Sequence, residues 1–105
     1  MFQKNVFIHH VYFWLKDPGN QESHHQLVAG LKKLSAASTI RAFHIGKPAG
    51  TSRDVIENTY NVSWLVLFDG NEDQDTYQTD PIHLNFVEEC SHLWTKVVVF
   101  DTVDI

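Results

Sequence analysis

One cysteine, Cys90, stands in 105 residues, so no internal disulfide can form and a reducing cytoplasm is the expected compartment. No stretch approaches the roughly 18 consecutive apolar residues of a membrane span, which argues against a membrane partner. The first residues, MFQKNVFIHHVYFWLK, lack the small-residue cleavage site of a signal peptide and read as a strand. Basic residues are few and scattered: 8 Lys and Arg against 13 Asp and Glu, net charge −5, with Lys32-Lys33 the only adjacent pair. Nucleic-acid binding needs a basic stripe, and none is present. Repeats, linkers and low-complexity runs are also missing, so residues 1–105 read as one domain. A chain of this size buries about 65% of its unfolded surface, enough for a modest core.

What is present is a regular alternation of element types. NVFIHHVYFWL, 5–15, is rich in β-branched and aromatic residues and ends at Asp17-Pro18-Gly19. It reads as a strand buried on both sides. Asn20 is a plausible N-cap for a helix over 21–37, where Leu27, Leu31 and Leu34 recur at helical spacing. IRAFHIG, 40–46, reads as a second strand, followed by a polar loop over 48–59. In YNVSWLVLF, 60–68, Tyr60, Val62, Trp64, Val66 and Phe68 share one face, and Asn61, Ser63, Leu65 and Leu67 the other. An acidic turn, a helical region and a last strand, KVVVFDTV at 96–103, complete the chain. The order β-α-β-β-α-β predicts an α+β, ferredoxin-like subunit with a four-stranded antiparallel sheet. Two helices cover only one face of such a sheet. The other, carrying Leu65 and Leu67, is expected to pair with a second copy.

The stretch DTYQTDPIHLNF, 75–86, carries the chemistry. On one unbroken helix Tyr77 and His83 would point about 240° apart. Pro81 biases Asp80 away from helical backbone, and Asp80-Pro81 is also a favourable N-cap and first turn. One helix therefore ends near Asp80 and another starts at Pro81, which allows Tyr77 and His83 to face one cavity. In the second helix His83, Val87, Cys90 and Trp94 fall at i, i+4, i+7 and i+11, flanked by Phe86 and Leu93. A histidine on this packed stripe needs a hydrogen-bond partner, and Tyr77 and His9 are the candidates. The helix N-terminus disfavours an imidazolium there and Asp80 favours one, so the charge of His83 stays open.

Other signals are weak. His9-His10 point to opposite sides of a strand, and His24-His25 sit about 100° apart on a helix, so neither pair makes a metal site. Asp69, Glu72, Asp73 and Asp75 lack calcium-loop spacing. Cys90, on the apolar stripe, reads as inert core.

FIHHVYFWLK, HIGKP, YNVSWLVLF, YQTDPIHLNF and LWTKVVVFD, in that order, resemble the stress-responsive A/B barrel domain (Dabb) family. The resemblance spans almost the whole chain, and Tyr77-x-x-x-Pro81-x-His83-x-x-Phe86 is its most specific part. It implies a homodimeric α/β barrel closed through the open sheet faces. Many such proteins have no assigned activity. In a few, polyketide cyclases, a tyrosine and a histidine matching Tyr77 and His83 act as acid and base, in a pocket between sheet and helices. Asp80 departs from the histidine that often stands there. By resemblance His9 and Trp94 also belong to the pocket, and Leu27, Val28, Leu31, Trp64 and Phe86 are expected as its further wall.

Two functions are therefore expected, and the sequence leaves open which applies. One is acid–base catalysis on a small, largely apolar carbonyl compound, His83 taking a proton and Tyr77 donating a hydrogen bond, with no metal or organic cofactor. The other is a non-catalytic barrel that binds a small hydrophobic molecule or simply persists under stress, in which Tyr77 and His83 share one buried hydrogen bond. Haem- or oxygen-using monooxygenation, hosted by related barrels, has only His83 to support it.

Overall fold

The computed structural model describes residues 4–105; Met1–Gln3, the start of the stretch read as an N-terminal strand, lie outside the described residues. Along the chain come β1 (Phe7–Leu15), α1 (Gln21–Leu34), β2 (Ala42–Gly46), β3 (Val62–Phe68), α2 (Asn71–Thr79) and α3 (Pro81–Cys90). A single 3-10 turn, Ser91–Leu93, then leads into β4 (Trp94–Val103). The sheet is antiparallel throughout, in the order β2-β3-β1-β4. This is the expected ferredoxin-like arrangement, with the second helical region split in two.

α1 and α3 each start at a side-chain cap, whereas α2 follows Gly70 without one. The Asn20 side chain accepts the Glu22 N–H at 2.9 Å and caps α1. Asp80 has extended backbone (φ −62°, ψ 132°), and its carboxylate accepts the Ile82 N–H at 2.8 Å. Pro81, with no N–H to satisfy, occupies the first turn of α3. The α2 helix therefore stops at Thr79, and the chain turns before α3 begins.

The core lies between the helices and one face of the sheet. Val11, Phe13 and Leu15 of β1 and Val62, Trp64, Val66 and Phe68 of β3 are buried there, against Leu27, Leu31 and Leu34 of α1. β1 differs from the both-sided burial expected of it. Its alternate residues Ile8, His10, Tyr12 and Trp14 are only half-buried, because helices cover just one face. The open face also differs in detail. Leu67, on the inner strand β3, is buried and Leu65 half-buried, whereas Phe100 on the edge strand β4 is 59% exposed.

The α3 stripe is shorter than its spacing suggests. The chain leaves the helix at Cys90, so Trp94 is not a helical residue but the first residue of β4. Its indole packs on Phe13 and Phe86 from the strand side, with ring centroids 4.9 and 5.8 Å away. On α3 the row Ile82, Phe86 and Cys90 meets the core, while Val87 is exposed.

The approach of α3 to α1 depends on Gly30. A Cβ there would stand 2.5 Å from the Cys90 Sγ and 3.3 Å from the Phe86 ring. Gly30→Ala should therefore destabilise the domain by about 1 kcal/mol: overpacking costs about 1–3, and the helix preference of Ala over Gly returns about 1. Cys90→Ala should remove part of that clash. Urea melts of both single variants and the double variant will show the double as more stable than the sum of the two losses. Strict additivity would mean that the helices meet elsewhere.

Candidate functional site

A cleft of about 470 Å³ opens between the helix pair α2–α3 and the β1–β4 side of the sheet. β4 is an edge strand with no helix above it, so Val97 and Val99 floor the cleft and remain 43% and 44% exposed. Val11, Phe13, Leu34 and Trp64 supply further apolar wall. The polar groups that face it are few.

Tyr77 comes from α2 and is 1% exposed. Its phenol oxygen accepts the Trp64 indole N–H at 3.3 Å. Burial pushes its pKa up to about 12, against the lowering effect of the Trp64 hydrogen bond and with a smaller upward push from Asp80. The hydroxyl therefore keeps its proton at neutral pH, and that proton has no acceptor among the described residues.

His83, in the first turn of α3, lies beside it, the two rings 4.6 Å apart and tilted by 48°. Its Nδ1 is 3.2 Å from the Gln78 carbonyl oxygen. A carbonyl can only accept, so Nδ1 carries the hydrogen, and in the neutral ring Nε2 holds the free lone pair. Burial lowers the His83 pKa below its ordinary 6.5. The Gln78 carbonyl opposes this, His9 adds to it, and Asp80 opposes it least. Desolvation thus decides the question of charge that the sequence leaves open. The expected hydrogen bond between Tyr77 and His83 does not form. Each instead has its own partner, Trp64 for the phenol and Gln78 for the imidazole.

His9, buried on β1, is the third polar group. The β1–β4 register sets it opposite Asp101, and its Nδ1 lies 2.6 Å from Asp101 Oδ1. With Nδ1–H donated to the carboxylate, Nε2 is the ring's free nitrogen. The ring stands edge-on to Tyr77 at 6.0 Å.

Of the residues expected around the site, Tyr77, His83, His9, Trp64, Phe86 and Trp94 all line this cleft. Leu27 and Leu31 are fully enclosed in the core instead. Val28 lines a separate groove between α1 and β2, beside Ile45. The helical spacing of Leu27 and Leu31 fixes the side of α1 they share, not how far α1 lies from the cleft. Asp101, Gln78 and Gln74 also line it, and Gln78 and Gln74 have no signature of their own in the sequence. A lone acid among the valines of KVVVFDTV, in phase with Val97 and Val99, is the signal that points to Asp101. Among the described residues no three His, Cys, Asp or Glu side chains are grouped so as to hold a metal ion. No helix among them is long and apolar enough to cross a membrane.

The family model of the stress responsive A/B barrel domain matches residues 7–104. No curated protein matches the chain. Among solved structures, a Dabb family protein with a ferredoxin-like fold from Mesorhizobium loti superposes with TM-score 0.78 at 24% identity, covering 95% of this chain and 97% of that one. A hydroxynitrile lyase from Passiflora edulis gives 0.81 at 18% identity, with 98% and 96% covered. A dimeric ferredoxin-like protein of unknown function from Thermobifida fusca gives 0.77 at 19%, with 99% and 95% covered. At these identities the likeness is one of fold.

The enclosure of Tyr77 has a measurable consequence. Above pH 10 the unfolded chain loses this proton, while the folded chain holds it to about 12. Stability is therefore intact below 10 and falls as pH rises between those values, by at most about 1.4 kcal/mol per pH unit. Urea unfolding at pH 8.5 and 11 should show a smaller alkaline loss in Tyr77→Phe than in the wild type. Equal losses would mean that the phenol titrates freely.

Proposed function

The chain belongs to the stress-responsive A/B barrel domain family, and from that membership we propose that its cleft binds a small, largely apolar carbonyl compound and moves a proton alpha to the carbonyl. The observation that carries this is the wiring of the two central groups. One neutral imidazole has a free Nε2 lone pair, and one neutral phenol beside it has an unspent proton. Burial moves the two pKa values in opposite directions and keeps both groups uncharged at neutral pH, which suits a base and a hydrogen-bond donor acting together. His83 Nε2 takes the proton, the C–H electron pair passes into the enolate, and the Tyr77 O–H stabilises the oxygen. The imidazolium then returns the proton to the same carbon or to another atom. His9, held by Asp101, sits where it can orient the ligand. The hydroxynitrile lyase among the structural neighbours makes cleavage next to a carbonyl-forming carbon a natural variant of this chemistry.

A second reading is favoured by the near-complete enclosure of Tyr77 between Trp64 and Phe68. In it the cleft holds a hydrophobic ligand and no bond changes. Proton–deuterium exchange separates the two. Simple aryl ketones in D2O should lose their α-hydrogen NMR signals faster with the wild-type protein, and His83→Ala and Tyr77→Phe should each slow this by about 10²–10⁴-fold. The rate should fall as pH drops, with a midpoint below the ordinary histidine value of 6.5, since protonation of His83, shifted downward, removes the base. Ketone binding without exchange selects the second reading.

The working form is a homodimer closed through the open sheet face. Phe100 is exposed there beside Tyr12, to which it makes an edge-to-face contact at 6.0 Å, and structural neighbours are dimeric. An exposed aromatic patch on a sheet favours such pairing. Light scattering should give twice the 12.1 kDa chain mass, and Phe100→Glu should shift it toward one chain. A wild-type monomer at micromolar concentration would exclude the dimer. The buried free thiol of Cys90 is consistent with a reducing, cytoplasmic setting.

A further inference from the structure

We infer that Gln74 is a specificity-determining residue of the cleft, and that the ligand carries a second oxygen, hydroxyl or carbonyl, in addition to the carbonyl at Tyr77. The inference rests on the carbonyl-ligand reading above and deepens it. Gln74 is 9% exposed and, with Tyr77, is one of the two buried residues of α2. It lines the same cleft as Tyr77 and His83. Its side-chain amide makes no hydrogen bond to any described residue, although its backbone N–H is satisfied by the Gly70 carbonyl at 3.2 Å. The residue is mostly buried, but its amide atoms are not among the fully enclosed ones and keep access to the cleft, so a ligand oxygen entering there can replace their water.

The neighbouring polar groups are partly committed, leaving Nε2 of His9 and of His83, the Tyr77 proton and the Gln74 amide for a ligand. Trp64 N–H goes to Tyr77, His9 to Asp101, and His83 Nδ1 to the Gln78 carbonyl. Gln74 has both donors and an acceptor, so it can meet a hydroxyl or a carbonyl oxygen equally well. It precedes Tyr77 by three positions on α2, on the same face, where Cβ atoms stand roughly 5–6 Å apart. A ligand reaching both side chains therefore holds its two oxygens about one helical turn apart or less. A hydroxy ketone with the hydroxyl two or three carbons from the carbonyl meets this spacing.

Calorimetric titration with two probes tests it: 4-phenyl-2-butanone, and the same ketone bearing a hydroxyl at carbon 4. The wild type should bind the hydroxy ketone about five-fold more tightly, the net value of one neutral hydrogen bond. Gln74→Leu and the closer isostere Gln74→Met should abolish that preference and leave the simple ketone within two-fold of wild type. A purely structural role would weaken both probes together. No preference in the wild type, or a preference retained in both variants, overturns the role of Gln74 while the carbonyl reading stands. Failure of both probes to bind the wild type overturns the carbonyl reading and this inference with it.

Discussion

Asp80 places an extended residue between two helices and uses its carboxylate to start the second one, while Pro81 prevents the first from continuing. The separate direction of α3 follows from that step, and so does the meeting of the His83 and Tyr77 rings. Without the break, two residues six positions apart would diverge around one helix. With it, the carbonyl of Gln78, near the C-terminal end of α2, is available to hold the imidazole of α3. The end of one helix thereby fixes the tautomer of a side chain on the next.

Burial then gives the two rings complementary chemistry. It raises the phenol, whose charged form is an anion, and lowers the imidazole, whose charged form is a cation. The same loss of water leaves both neutral without a counter-ion. Asp80 contributes least to the His83 shift. The distance from β4 to the helices also matters. An edge strand left uncovered gives the cleft its mouth, and the side chains of Val97, Val99 and Asp101 form its floor.

Much of the architecture was legible in the residues. Alternation in VSWLVLF identified β3, the Leu27–Leu31–Leu34 spacing identified α1, and Asn20 and Asp80 marked helix starts that the structure retains. Periodicity was less informative at Trp94, where the helical phase happens to continue across a change to strand. It also misjudged Leu67, because exposure depends on neighbouring strands as well as on which side a residue faces.

The sequence alone determined the element order, the inner faces of α1 and β3 and the break at Asp80-Pro81, since these depend on neighbours only a few positions away. The tertiary structure decided which partners Tyr77 and His83 take, that Leu27 and Leu31 lie in the core and away from the cleft, and that Asp101 stands opposite His9. Those facts depend on register and on the distance between layers, where residues as far apart as 9 and 101 meet. Local preference carries no record of such distances.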